Sequence, residues 1–121
     1  MSELGDKQKL FTWCLPRLLD EIHNRGYECT IGDAYRDERA FGKFGEAVKN
    51  LAGRLVYGRK FSCHKLRLAI DLNLFKDGEY LTTTEAHAMF GEFWEALDPM
   101  CSWGGHFNDG NHYSIEYRGR R

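Results

Sequence analysis

Eight consecutive residues do most to limit what this chain can fold into. Leu68, Ile70, Leu72 and Leu74 alternate with Arg67, Ala69, Asp71 and Asn73. A side-chain period of two is that of a β-strand, and a strand whose greasy positions share one face lays that face on a core. Asp71 then lies on the opposite face, beside the small Ala69, where a cleft can form. Near the C-terminus the pattern recurs. Tyr113, Ile115 and Tyr117 alternate with His112, Ser114 and Glu116, so His112 also faces away from the apolar side.

Other segments give an outline around these strands. Leu10, Cys14, Leu18 and Ile22 recur at four-residue spacing, flanked by Trp13 and Leu19, which predicts an amphipathic helix. Pro16 is expected to kink or split it, and Asn24-Arg25-Gly26 to end it. Tyr27, Cys29 and Ile31 alternate with polar or small residues as a strand running toward Asp33-Ala34-Tyr35-Arg36. Residues 37–58 are the least legible, with one or two short helices expected around 41–55. Lys76-Asp77-Gly78-Glu79 signals a hairpin turn. Thr82 and Glu85 resemble a capping box opening a helix with Met89, Phe90, Phe93, Trp94 and Leu97 on one side. The predicted fold is α+β: one small domain over residues 1–121, an antiparallel sheet flanked by helices, and a metal site in a cleft on one face.

Composition narrows the function classes. A formal charge of −1 argues against nucleic-acid binding through a broad basic face. The run Arg118-Gly119-Arg120-Arg121 is short and reads as a solvated tail. Cys14, Cys29, Cys63 and Cys101 are far apart with no CxxC pair, which disfavours a Cys-rich zinc ribbon and fits reduced thiols. Residues 1–9 are polar, so no secretory signal is expected. No run reaches the roughly 18 apolar residues a membrane span needs, so membrane insertion is not expected either.

The polar faces carry the chemistry. Zinc (Zn2+) accepts imidazole nitrogen and carboxylate oxygen at about 2.0–2.2 Å, and catalytic sites commonly supply three protein ligands. His64, Asp71 and His112 fit that inventory. Asp109, three residues before His112 in a tight Asp-Gly loop, is placed to move a proton. His106 is a competing ligand and Glu116 a second choice for the proton shuttle. Each residue also has an ordinary structural explanation, including a pairing of Asp71 with Arg67.

Two motifs sharpen this. Ser62-x-His64-x₆-Asp71, with Ala69 two before the aspartate, resembles the S-x-H-x-x-x-x-A-x-D signature of the M15 family of zinc D-Ala-D-Ala carboxypeptidases and L-Ala-D-Glu endopeptidases. Asp109-x-x-His112-Tyr113 resembles its second signature, and Trp103-Gly104-Gly105 and the stretch 68–75 are similar to small phage and prophage members. The resemblance spans roughly residues 7–117. Arg67 stands where many relatives carry glycine, and Asp109 where the exopeptidase branches usually carry glutamate.

The resemblance implies zinc held by His64, Asp71 and His112, and Asp109 as general base and then acid. It implies Arg36 as the group polarising the scissile carbonyl, against the alternative of a salt bridge with Asp33, Asp37 or Glu38. Ser62 would steady the ligand loop, and Trp103 and Tyr113 either wall the cleft or pack in the core. The implied activity is a zinc metallopeptidase: a peptidoglycan hydrolase that cleaves L-Ala-D-Glu bonds in bacterial stem peptides. It would act as a monomeric phage or prophage endolysin, made in the host cytoplasm and degrading the cell wall after release. Competing expectations are a D-Ala-D-Ala carboxypeptidase or dipeptidase, a silent zinc-containing binding module, and a metal nuclease.

Overall fold

The protein, as a computed structural model, is described over residues 2–33, 47–49, 55–57 and 63–121. Helix α1, Glu3–Asn24, begins where the Ser2 side chain accepts the Gly5 N–H at 2.9 Å. It ends in a left-handed stop at Gly26 (φ +84°), where the Gly26 and Tyr27 N–H groups reach the His23 and Ile22 carbonyls. α1 is not split at Pro16 but continues through it. Proline removes an N–H and crowds the carbonyls of the preceding turn. Next to it, Arg17 donates its guanidinium to the Trp13 carbonyl and lies 3.5 Å over the Trp13 ring. Phe11, Cys14, Leu18 and Ile22 form the buried stripe on both sides of the proline, while Leu10 is only half-buried.

Strand β1, Glu28–Asp33, pairs antiparallel with β4, Ala69–Lys76, with a register shift between Ile31 and Asp33. The alternation of Tyr27, Cys29 and Ile31 does form a strand, but Ile31 stands 65% exposed on it, and among the described residues β1 is at the end of the sheet order. β2, Ala47–Lys49, and β3, Leu55–Tyr57, pair as a separate antiparallel hairpin. Helices were expected around residues 41–55; residues 47–49 instead pair with 55–57 as strands, Val48 opposite Val56.

β4 starts two residues later than its apolar alternation predicts, because Arg67 takes φ +58° in the turn before it. Its faces are as expected: Leu68, Ile70, Leu72 and Leu74 are buried, and Asp71 and Asn73 half-buried opposite them. Asp77 (φ +52°) and Gly78 (φ +80°) form a two-residue turn into β5, Glu79–Leu81, both in the left-handed region that such hairpins require. Helix α2, Thr84–Leu97, is capped one residue beyond the predicted box: the Thr83 side chain accepts the Ala86 N–H at 3.2 Å. Its buried stripe is His87, Phe90, Gly91 and Trp94, with Met89 turned outward.

After α2 come β6, Cys101–Trp103, a 3-10 turn at Gly104–Phe107, and β7, His112–Ile115. The main sheet runs β1-β4-β7-β6, with β5 also on β4. Both helices join its apolar core, where Phe11 of α1 meets Trp94 of α2 edge-on at 6.0 Å. The described residues thus form a small α+β structure with two helices and an antiparallel sheet. Arg118 and Arg121 stay exposed, in surface ion pairs with Glu3 and Glu116, and Tyr117 bridges to Arg120. No described helix is long and apolar enough to cross a membrane.

Candidate metal centre

Antiparallel pairing of β4 with β7 places Asp71 directly opposite His112. Side chains at paired positions project to the same face. Asp71 Oδ1 lies 3.2 Å from His112 Nδ1, forming one side of the site.

His64 completes it from a turn. The Leu68 N–H donates to the Cys63 carbonyl at 2.8 Å and the Arg67 N–H to the His64 carbonyl at 3.1 Å. This tight turn brings a 3% exposed His64 over the start of β4. Its Nε2 lies 3.2 Å from His112 Nδ1 and 3.4 Å from Asp71 Oδ1. Ligand atoms at about 2.0–2.1 Å from a tetrahedral ion stand about 3.3–3.4 Å apart. The three separations therefore fit one face of such a tetrahedron.

One proton between a pair of these atoms satisfies only that pair, whereas a cation satisfies all three. Burial alone would raise the Asp71 carboxyl. Hydrogen bonding to His112 and His64, and their charge, outweigh it and hold the group at about 2. His64, Asp71 and His112 together could hold a metal ion.

No family model, curated protein or solved structure matches this chain. The functional reading therefore rests on the site and on the sequence motifs.

Asp109 is exposed and is not among the three convergent groups. Its backbone is fixed beside them: its N–H donates to the Gly104 carbonyl at 2.9 Å, and its carbonyl accepts the His112 N–H at 3.2 Å. Arg36 and Ser62 lie outside the described residues. His106 is no ligand of this group, since its Nε2 sits 2.9 Å from Glu95 Oε1. Glu116 pairs with Arg121 at 3.8 Å. Cys63 turns its sulfur to the Ile115 carbonyl, and burial pushes its thiol up to about 11, so it offers no ready thiolate. Cys14 and Cys101 are likewise buried and Cys29 half-buried.

Both aromatic candidates belong to the interior. The Trp103 indole is wedged against Gly91 and Gly105, where a Cβ would come within 2.1 and 2.2 Å of its ring. Its Nε1–H donates to the Gly110 carbonyl at 2.7 Å, anchoring the loop that carries Asp109. Tyr113 is fully buried, with its hydroxyl 2.7 Å from His87 Nδ1. Sequence reasoning passed over His87. The signal was present, because residues 87, 90, 91 and 94 share one helical stripe and His87 is its polar member.

Proposed function

We propose that this protein is a zinc-dependent peptidase of the bacterial cell wall, cleaving the L-Ala-D-Glu bond of peptidoglycan stem peptides. The observation that carries the metal half is the convergence of His64 Nε2, Asp71 Oδ1 and His112 Nδ1 at 3.2–3.4 Å. Two nitrogens and one carboxylate oxygen suit zinc and leave room for a further ligand. The substrate half rests on the Ser62-x-His64-x₆-Asp71 and Asp109-x-x-His112-Tyr113 motifs and their resemblance to the M15 peptidases.

When held by such a set, zinc supplies carbonyl polarisation and water activation near neutral pH. The remaining work falls to the chain. Asp109, exposed on a loop pinned by Gly104, Trp103 and His112, takes the proton of the attacking water and returns it to the leaving amine. Arg36 is assigned to the developing oxyanion by the motif resemblance alone. The enzyme would meet its substrate at the wall after release from the host cytoplasm.

The test is digestion of purified Gram-negative peptidoglycan by zinc-loaded protein and by Asp109→Asn, with products read by mass spectrometry. The proposal expects stem peptides with new glutamate N-termini from wild type, and zinc bound without turnover in the variant. Release of D-alanine alone would reassign the bond. An intact wall with zinc firmly bound would leave a binding module in place of an enzyme.

A further inference from the structure

The main sheet has a break beside the metal centre. β5 and β7 lie end to end along one edge of β4, β5 pairing residues 74–76 and β7 residues 69–71. Neither strand pairs Asn73 on that edge, and a cavity of about 180 Å³ opens there, bounded by the start of α2 and the loop 108–111. Its wall adjoins the metal site through the backbone, although His64, Asp71 and His112 do not line it. The Leu72 N–H donates to the Asn111 carbonyl at 2.9 Å, both residues line the cavity, and Asp71 and His112 are their immediate chain neighbours.

The buried part of this wall offers donors. His87 lines it at 3% exposure. The Tyr113 phenol is wholly buried, and His87 Nδ1 is its partner at 2.7 Å. A buried hydroxyl needs an acceptor, and Nδ1 is the one it has among the described residues. The proton of the neutral ring therefore sits on Nε2, and burial holds the ring neutral by lowering its pKa to about 4. Nε2–H has no protein partner among the described residues, an unsatisfied donor of the kind that folded proteins rarely leave buried. Thr84 Oγ1 accepts the Gly110 N–H at 3.2 Å, which frees its own proton for the cavity. α2 also begins here. The Thr83 cap takes the Ala86 N–H, leaving earlier first-turn amides and the positive end of the helix dipole to a ligand. Asp109 is the acidic member of the wall, and it is exposed, so its charge is screened by solvent.

We propose that this cavity binds a carboxylate of the substrate, held by His87 Nε2–H, the Thr84 hydroxyl and the N-terminus of α2. The assignment of that carboxylate rests on the peptidase reading. In the stem peptide D-glutamate continues through its γ-carboxyl, so its α-carboxylate stands free beside the scissile nitrogen. His87 and Thr84 are then positioning residues that select an acidic residue on the leaving side of the bond.

The experiment titrates zinc-loaded, isotopically labelled protein with D-glutamic acid γ-methylamide, and with the same compound carrying an α-carboxamide. NMR follows the His87 ring and the Thr84 amide. The acid should shift both saturably, and the carboxamide should bind at least about tenfold more weakly. His87→Leu and Thr84→Val should each weaken the acid about tenfold. His87→Gln, which keeps an acceptor for Tyr113 and a donor for the cavity, should restore it. Zinc content should be unchanged in all three, and on stem peptides His87→Leu should raise KM more than it lowers kcat. Equal binding of acid and carboxamide, or no shift at His87, overturns the proposal. Cleavage without that discrimination would remove the cavity's role and leave the peptidase reading standing. Discriminating binding without cleavage would uphold the carboxylate site and remove the peptidase.

Discussion

Asp71 and His112 face each other across β4 and β7 with Oδ1 and Nδ1 3.2 Å apart, and His64 closes the triangle from a turn rather than a strand. Two ligands are thus set by sheet register and the third by a loop. That division shapes how the site should respond to change.

Zinc should stabilise the folded chain, because the triangle exists only in the native state. At a free concentration 100-fold above Kd the gain is about 2.7 kcal/mol, visible as a rise in Tm that a chelator reverses. His64→Ala and His112→Ala should each abolish the rise and the bound metal. Full zinc occupancy in either variant would place the ion elsewhere.

Acid should unfold the metal-free protein in two windows. His87 is held neutral by burial, its pKa lowered from 6.5 to about 4. The unfolded chain binds the extra proton, so stability present above 6.5 is lost as pH falls toward 4, by no more than about 3 kcal/mol. Asp71, lowered from 3.8 to about 2, adds a second loss between those values. Tm against pH for wild type and His87→Gln checks this. The variant should lose the slope of the upper window and keep the lower one.

Gly91→Ala sets two effects against each other. In mid-helix, alanine is favoured over glycine by about 1 kcal/mol. Here the new Cβ would stand 2.1 Å from Trp103 Cδ2, and forcing a packed indole aside typically costs about 1–3 kcal/mol. The clash should win, giving net destabilisation in a urea titration. A stabilised variant would mean Trp103 can move freely.

Trp103→Phe should keep an aromatic ring against Gly91 and Gly105 while stranding the buried Gly110 carbonyl. An unsatisfied buried group costs about 1–3 kcal/mol. Because Gly110 follows Asp109, faster hydrogen exchange should appear across residues 108–111 before it appears in α1. Unchanged exchange there would show that the indole bond does not anchor the loop.

The alternation around Asp71 and His112 was enough to read both strands and the face each side chain takes, since a period of two leaves a polar residue no other side. The Asp77-Gly78 turn was equally legible, because few residues accept positive φ at both positions. Elsewhere local pattern misled. Ile31 alternates correctly and stands exposed, Pro16 does not split its helix, and residues 47–49 and 55–57 pair as strands. For Ile31 the outcome is set by the place of β1 at the end of the described sheet order, which its own alternation does not record.

The sequence by itself determined which residue types could meet a metal and, for two of them, on which face of a strand they would lie. Only the tertiary structure decided that they meet. Register between chain segments some forty residues apart brings Asp71 to His112, and a turn shaped by Arg67 at φ +58° swings His64 to within 3.4 Å of both. His87 likewise gained its fixed proton from Tyr113, 26 residues away in the chain. Such contacts depend on how distant segments are stacked, and periodicity within one segment carries no record of that stacking.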